Sequence, residues 1–416
     1  MVPVETQMDT LCRGVVDLHV RAELEERLRS GRPLKVKAGF DPTRPDLHLG
    51  HTVLMSKMRQ FQEFGHTVIF VVGDFTAMVG DPTGQNDLRP RLTREEVMAA
   101  AATYQEQAFK VLDKDRTVVR YNSEWLDKLG AVGMIELGAK YTVARMLERD
   151  DFSKRFEEKR PIHIHEFLYP LLQAYDSVAL DCDIELGGTD QLFNLLVGRD
   201  LMPRYGLRAQ MVMTTPILEG TDARIENGKI TGKKMSKSAD NYVGINEPPF
   251  EMLQKLMLID DQVIWRFMDL LSSKSNEEIA ALKAEAAAGK ANIISVKEAF
   301  AVEIVTRFHS ADAASEALAR RRSVAKGGLP DKIEEARVTA GDDKAGVWIA
   351  KAMKDSGLAP STSEALRLIK GGAVYVGEGA LPDEATKNEK LELAKGKRYL
   401  VRVGSKNRRF LYISVD

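Results

Sequence analysis

Apolar residues recur along this chain with two periods, and the places where one gives way to the other outline its elements. In PLKVKAGF, residues 33–40, they alternate and close on a glycine, which predicts a strand. From His48 onward they fall at Leu54, Met58 and Phe61, a helical spacing that stops at Gly65. TVIFVVG then predicts a continuous apolar strand, and strand, helix, strand in that order predicts a parallel sheet covered on both faces. Thr93 to Glu96 has the capping-box pattern that opens a helix, and TVVRYN reads as the next strand. A doubly wound, Rossmann-like α/β domain is therefore expected over roughly the first 230 residues.

Past NEPPF the strand signals stop. Residues 250–322 are rich in Ala, Leu, Lys and Glu with helical periodicity, so a helical region follows. KGGLPDKIEEARVTAGDDKAG has the glycine, proline and charge of a connector. Beyond it, STSEALRLIKGGAVYVGEGAL predicts a helix closed by Gly371 and Gly372 and then a short strand, in a small module of its own. The expected division is a Rossmann-like domain over residues 1–240, an α-helical domain over 241–335 and an α+β module over 345–416.

Composition narrows the possibilities further. With 416 residues and 44% hydrophobic positions, the chain can bury cores in two or three domains. No apolar run approaches the roughly 20 residues of a membrane span, and no basic-then-apolar leader opens the sequence, so a cytoplasmic protein without a membrane partner is expected. Cys12 and Cys182 lie far apart, which offers no disulfide framework and no cysteine zinc site, and no metal ligand is assigned. A net charge of −1 argues against uniform coating of nucleic acid. Locally the balance differs: residues 387–410 carry Lys387, Lys390, Lys395, Lys397, Arg398, Arg402, Lys406, Arg408 and Arg409 against Glu389 and Glu392. Such a face suits a phosphate backbone, although a solvated surface can look the same.

Chemistry concentrates in a few short stretches. His48 and His51 of HLGH are three apart, so both rings sit on one face of a helix's first turn, beside its unpaired amides and its positive dipole end. That arrangement suits an anion, with Thr43 adding a hydroxyl and Gly50 letting a flat ring approach the backbone. A pair of surface histidines is the other reading. GDFTAMVGDPTG, at a strand end, has neither the lysine of a P-loop nor GxGxxG spacing, so phosphates would have to be held by other means. GKITGKKMSKS, with Lys233, Lys234 and Lys237, could supply that charge or be an exposed basic loop. On the YPLLQAYD stretch, Tyr169, Gln173 and Asp176 are spaced i, i+4, i+7 and share a face, a polar stripe that suggests a pocket. An amphipathic surface helix would show the same spacing, and Pro170 inside it is discordant.

HLGH near the start and KMSKS after the sheet resemble the class I aminoacyl-tRNA synthetases. GFDPTRPDLHLGH, GDPTG, YPLLQAYD, GGTDQ and KMSKS in that order are similar to the bacterial tyrosyl enzymes of that class, and the module after Gly357 resembles a small RNA-binding domain many of them carry. The resemblance implies a tyrosine–tRNA ligase that uses ATP with Mg²⁺, binds L-tyrosine and tRNA(Tyr), and forms a homodimer. It implies an anticodon-binding role for residues 241–335. Thr43 and His48 would meet the phosphates, His51 the nucleotide ribose, and Lys234 and Lys237 the pyrophosphate, with Gly39, Asp41 and Gly50 at the nucleotide. Asp81, Tyr169 and Gln173 would hold the substrate ammonium and Asp176 the phenolic hydroxyl. Asp190 and Gln191 would reach the adenylate ribose and the carboxyl region. In many bacterial relatives a tyrosine that binds the phenol stands where this chain has Lys37. Lys37 is expected to point toward Asp176 and take over part of that work, or else to run out to solvent along the sheet. A tryptophanyl synthetase and another HxGH nucleotidyltransferase are the alternatives.

Overall fold

A computed structural model describes residues 2–42, 47–80, 93–326, 333–341, 345–378, 384–404 and 409–416, so Thr43 and Asp81 lie outside the described residues. The chain divides into two compact units, Met1–Leu318 and Ala319–Asp416.

A six-stranded sheet organises the first unit. Its strands are β1 (Leu18–His19), β2 (Lys35–Phe40), β3 (Thr67–Val72), β4 (Thr117–Tyr121), β5 (Ile184–Gly188) and β6 (Met211–Thr215), arranged β1-β6-β5-β2-β3-β4. All neighbours are parallel except β1, which runs antiparallel to β6. From β2 the order runs outward through β3 and β4 on one side and through β5 and β6 on the other. The switch point of this doubly wound sheet therefore lies between β2 and β5, the place where such sheets bind ligands beyond the strands' carboxyl ends. β2 and β5 pair at Val36–Ile184 and Lys37–Glu185.

Strand alternation assigns the two faces. Val36 and Ala38, Val68, Phe70 and Val72, Ile184 and Leu186, and Met211 and Met213 join one large core beneath the Leu49–Glu63 helix. That core continues into the helices Pro249–Leu258, Ile264–Leu271 and Ile293–Phe308, so the expected helical region shares its packing with the sheet. The opposite face carries Lys37 and Gly39 of β2 and Glu185 and Gly187 of β5. Here Lys37 meets the backbone of the 17-residue helix Ile164–Leu180. This helix runs through Pro170, which lies beyond its first turn.

The second unit has a four-stranded sheet in the order Val374–Glu378, Arg398–Val403, Arg409–Val415, Glu334–Val338. Helices Ile349–Asp355 and Thr362–Lys370 cover one face, and Gly372, at φ +67°, ends the turn that follows the second helix as its glycine pair predicts. The connector expectation needs correction. Glu334–Val338 is a strand, paired in parallel with Arg409–Val415, and it lies inside the stretch read as linker. Its EEARV sequence places charge on an edge strand, where one side faces solvent, and so hides the strand signal.

Candidate active site

The Leu49–Glu63 helix begins with an unusual cap. His48 is its N-cap, and the His48 Nδ1 accepts the Gly50 amide at 3.2 Å while the His48 amide donates to the Nδ1 of His51, also at 3.2 Å. The rings lie 4.0 Å apart, centroid to centroid. A Cβ on Gly50 would stand 2.9 Å from the His48 ring, so only glycine leaves the imidazole its place. With both Nδ1 atoms accepting backbone N–H groups, each neutral ring carries its proton on Nε2.

This corrects the expectation of open helix amides. The Leu49 amide donates to the Val243 carbonyl at 2.9 Å, Gly50 to His48, and the His51 amide to the His48 carbonyl at 2.9 Å. The first turn is closed by its own motif and by the chain downstream, so the donors offered to an anion are side-chain N–H groups. The space that glycine leaves at position 50 is taken by the His48 ring.

The lysine loop docks on the same helix start. Gly244 bridges His48 in antiparallel fashion, and the Ile245 amide donates to the Leu47 carbonyl at 3.1 Å. Met235, the methionine of KMSKS, is 1% exposed, and its Cβ lies 3.7 Å from where a Gly50 Cβ would stand. Buried Asn241 braces the loop by accepting the Ser236 amide and donating to Asp222, both at 2.9 Å. Against this anchored backbone the lysines remain outside: Lys234 Nζ reaches Asp190 of GGTDQ at 3.4 Å with 61% of its side chain exposed. Lys237 Nζ stands 5.8 Å above the Tyr242 ring. HLGH, KMSKS and GGTDQ therefore form one constellation, although more than 130 residues separate HLGH from the nearer of the other two.

The polar stripe of the Ile164–Leu180 helix faces the sheet. The Tyr169 hydroxyl donates to Asp41 at 2.8 Å, and Thr76 donates to the other oxygen of that carboxylate, also at 2.8 Å. Gly73 makes room for this pair, since a Cβ there would fall on both Asp41 and Thr76. The Gln173 amide is oriented by Asn194, which donates to its oxygen at 3.0 Å, and by Glu185, which accepts from its nitrogen at 3.4 Å. Gln191 turns back to accept the Gly188 amide at 3.2 Å.

Asp176 is 3% exposed. It accepts the Trp125 indole N–H at 2.8 Å and the Asn122 amide at 3.5 Å. Burial pushes its carboxyl up to about 6, opposed by Lys37 and those two hydrogen bonds. Lys37 itself is 1% exposed, which overturns the alternative of a lysine running to solvent. Its ammonium lies 3.1 Å from Glu185 Oε1 and donates to the Gln173 carbonyl at 3.2 Å. Burial lowers its pKa, but Glu185 first and then Asp176 raise it, and the net direction is upward. The neighbouring Cys182 thiol is buried and pushed up to about 12, chiefly by desolvation.

Asn122, Trp125, Thr76 and Glu185 were missed in the sequence. The first three follow strand ends without a recognisable spacing. Glu185 is visible as a carboxylate inside the otherwise apolar run IELGG, which is a strand with nowhere solvated to put it.

Comparison with known proteins agrees with this geometry. Residues 29–324 match the family described as tRNA synthetases class I (W and Y). The tyrosine–tRNA ligase of Nitratidesulfovibrio vulgaris is 50% identical over 416 residues, covering all of both chains. That of Thiobacillus denitrificans is 54% identical over 372 residues, covering 89% of this chain and 91% of the relative. Among solved structures, a C-terminally truncated mitochondrial tyrosyl-tRNA synthetase of Aspergillus nidulans superposes with a TM-score of 0.64 at 23% identity, covering 77% of this chain and 94% of that one. The L-tyrosine complex of the Archaeoglobus fulgidus tyrosyl-tRNA synthetase gives 0.59 at 21% identity, covering 76% and 100%, a likeness of fold.

Proposed function

This chain belongs to the class I tRNA synthetases of the tryptophan and tyrosine family, and we propose that it works as a tyrosine–tRNA ligase whose activating site is the HLGH, GGTDQ and KMSKS constellation. The carboxylate of L-tyrosine attacks the α-phosphorus of ATP, a new acyl–oxygen–phosphorus link forms, and pyrophosphate leaves. A ribose hydroxyl at the 3′ end of tRNA(Tyr) then takes the tyrosyl group and AMP departs. Catalysis of this kind consists of positioning and of charge stabilisation at the phosphorus, for which preorganised donors suffice.

The observation that carries the reading is the joint between His48, Gly50 and Met235, which packs the HLGH turn against the KMSKS loop. His48 and Thr43 serve the phosphates, and His51 the ribose. Lys234 and Lys237 close over the departing pyrophosphate, and exposure leaves them able to move with it. Gly39, Asp41, Gly50 and Asp190 line the nucleotide. Mg²⁺ enters as the companion of ATP's phosphates, whose oxygens are its usual ligands, and supplies charge neutralisation there.

Tyrosine lies along the Ile164–Leu180 helix. Tyr169 gives its proton to Asp41, and Tyr169, Gln173 and Asp81 hold the substrate ammonium. Gln191 serves the carboxyl region. Asp176 accepts the phenolic proton. Phenylalanine in this pocket would leave a buried acceptor unpaired, a rule of selectivity for which tyrosyl-tRNA synthetases are themselves the standing example.

Residues 1–240 carry the chemistry, 241–335 meet the anticodon, and 345–416, with the preceding strand Glu334–Val338, form an RNA-binding module. Val132, Ile135, Val143, Phe156 and Ile164 are each at least 62% exposed. So much uncovered apolar surface in one sequence region supports a homodimer, which sedimentation equilibrium would report as a doubled mass. Among the described residues no helix is long and apolar enough to cross a membrane; the proposed reaction puts the enzyme's work in the cytoplasm, where tRNA is charged.

The deciding experiment is amino-acid-dependent exchange of labelled pyrophosphate into ATP. L-Tyrosine should drive it and tryptophan should not; exchange with tryptophan alone would remove the assignment. A chain ended at Lys326 should keep the exchange and lose charging of tRNA, with the full chain's tRNA affinity falling steeply as salt rises. Undiminished charging by the shortened chain would deny the module its RNA.

A further inference from the structure

Lys37 and Glu185 are register partners across β2 and β5, on the face that the Ile164–Leu180 helix covers. Each side chain is 1% exposed, and their charges lie 3.1 Å apart. A buried ion pair is weak evidence of stability, because desolvation consumes most of the attraction. This one is also heavily supported. Glu185 accepts the Ser177 hydroxyl and the Gln210 amide, both at 2.8 Å, and the Gln173 amide at 3.4 Å, while Lys37 donates to the Gln173 carbonyl. β2, β5, the Ile164–Leu180 helix and Gln210, the residue before β6, hold the pair in one geometry, directly beneath the residues that would grip the amino acid.

We propose that Lys37 is a specificity-setting positioning residue: held by Glu185, it keeps the Asp176 carboxylate ionised and so able to accept a phenolic proton. The proposal rests on the tyrosine reading above and assigns Lys37 a role through Asp176, not through contact with substrate. The ammonium's measured contacts are Glu185 and the Gln173 carbonyl. Lys37 donates to the carbonyl of Gln173, about one helical turn before Asp176 on the same face, which brings its charge close to that carboxylate; Glu185 of β5 holds Lys37 from the other side, the Trp125 and Asn122 N–H groups that follow β4 bond Asp176 directly, and the Cys182 thiol is neutral. Lys37 is the cation of this set, and it favours the charged form of Asp176 while Glu185 disfavours it. A tyrosine at position 37 would offer the substrate a hydroxyl. The lysine offers the aspartate a charge, and reaches the same selectivity by another route.

The two partners push Asp176 in opposite directions, and that separates an electrostatic role from a packing role. The test measures tyrosine- and phenylalanine-dependent pyrophosphate exchange across pH 5.5 to 9 for the parent chain, Lys37→Met and Glu185→Gln. The ratio of the two substrates cancels ionisations they share, leaving the pH midpoint at which tyrosine becomes preferred. Lys37→Met should raise that midpoint by about one pH unit or more, the effect of removing a nearby opposite charge. Glu185→Gln should lower the midpoint, because Lys37 is then left to Asp176. Midpoints that stay put, or move the same way, would overturn the proposal.

A second reading of the midpoint needs no substrate. The infrared carbonyl band of the protonated Asp176 carboxyl, identified by its loss in Asp176→Asn, should titrate with the same opposite shifts. If tyrosine drives no exchange at any pH, the activity reading falls while this titration still decides the proposal. If Lys37→Met does not fold, Glu185→Gln decides it alone, and an unmoved or raised midpoint refutes it.

Discussion

The floor of the tyrosine pocket and the KMSKS loop both hold lysine against carboxylate, and they differ in everything else. Lys37 and Glu185 are each 1% exposed and locked by neighbours; the Lys234 and Asp190 side chains are 61% and 36% exposed and 3.4 Å apart. A desolvated charge has a fixed place and acts strongly over a short distance, whereas a hydrated pair is worth little and exchanges partners readily. Recognition of a small rigid ring calls for the first. Closing on a phosphate whose charge is being redistributed calls for the second. The loop's backbone, by contrast, is held in this conformation through Met235 and Asn241.

The sharpest break in this contrast is Asp176→Asn. Loss of the charged acceptor should reduce the tyrosine-over-phenylalanine ratio in exchange by about 100-fold, near the upper end for one charge-assisted hydrogen bond. The same change should stabilise the fold. With its pKa raised from 3.8 to about 6, the buried carboxyl favours the folded state while neutral, and that contribution is lost as pH rises through about 6. At pH 8 the asparagine variant should therefore be more stable by up to about 3 kcal/mol, a gap that closes as pH falls toward 4 in denaturant melts. A variant equally selective, or one destabilised at pH 8, would contradict the assigned role.

Next in size are Lys234→Ala and Lys237→Ala. Each should slow single-turnover adenylate formation by roughly 30-fold, or about 2 kcal/mol, with tyrosine affinity unchanged. Unaltered single-turnover rates would reduce the loop to a surface feature. The smallest effect is expected at the joint between the regions. Gly50→Ala places a Cβ 2.9 Å from the His48 ring and forces the imidazole off its rotamer, which should cost activation about 5-fold, or about 1 kcal/mol. An unchanged rate there would mean that the His48 orientation is not used.

Much of this was legible in the sequence because the motif residues and the local signals agree. β2, β3 and β4 follow directly from alternation and apolar runs, and the Thr93–Glu96 capping box is present, with both hydrogen bonds formed. The shared face of Tyr169, Gln173 and Asp176 follows from helical spacing alone. What stayed hidden depends on strand register. That Lys37 meets Glu185 is a consequence of β2 lying beside β5 across nearly 150 residues of sequence, and no local pattern encodes it. The helix amides at HLGH were misjudged for a similar reason: Val243, far downstream, supplies one of their partners. Glu334–Val338 escaped because an edge strand can be as charged as a linker.

The state of Cys182 has a practical corollary for following the loop in motion. The chain has two cysteines, and this one is buried with a thiol held almost wholly protonated at neutral pH, so alkylating reagents should leave it untouched. Replacing partly exposed Cys12 would then give a chromophore-ready background in which a single cysteine placed at Ser238, beside Lys237, accepts one dye. Fluorescence from that dye would time the loop's closure without altering either lysine.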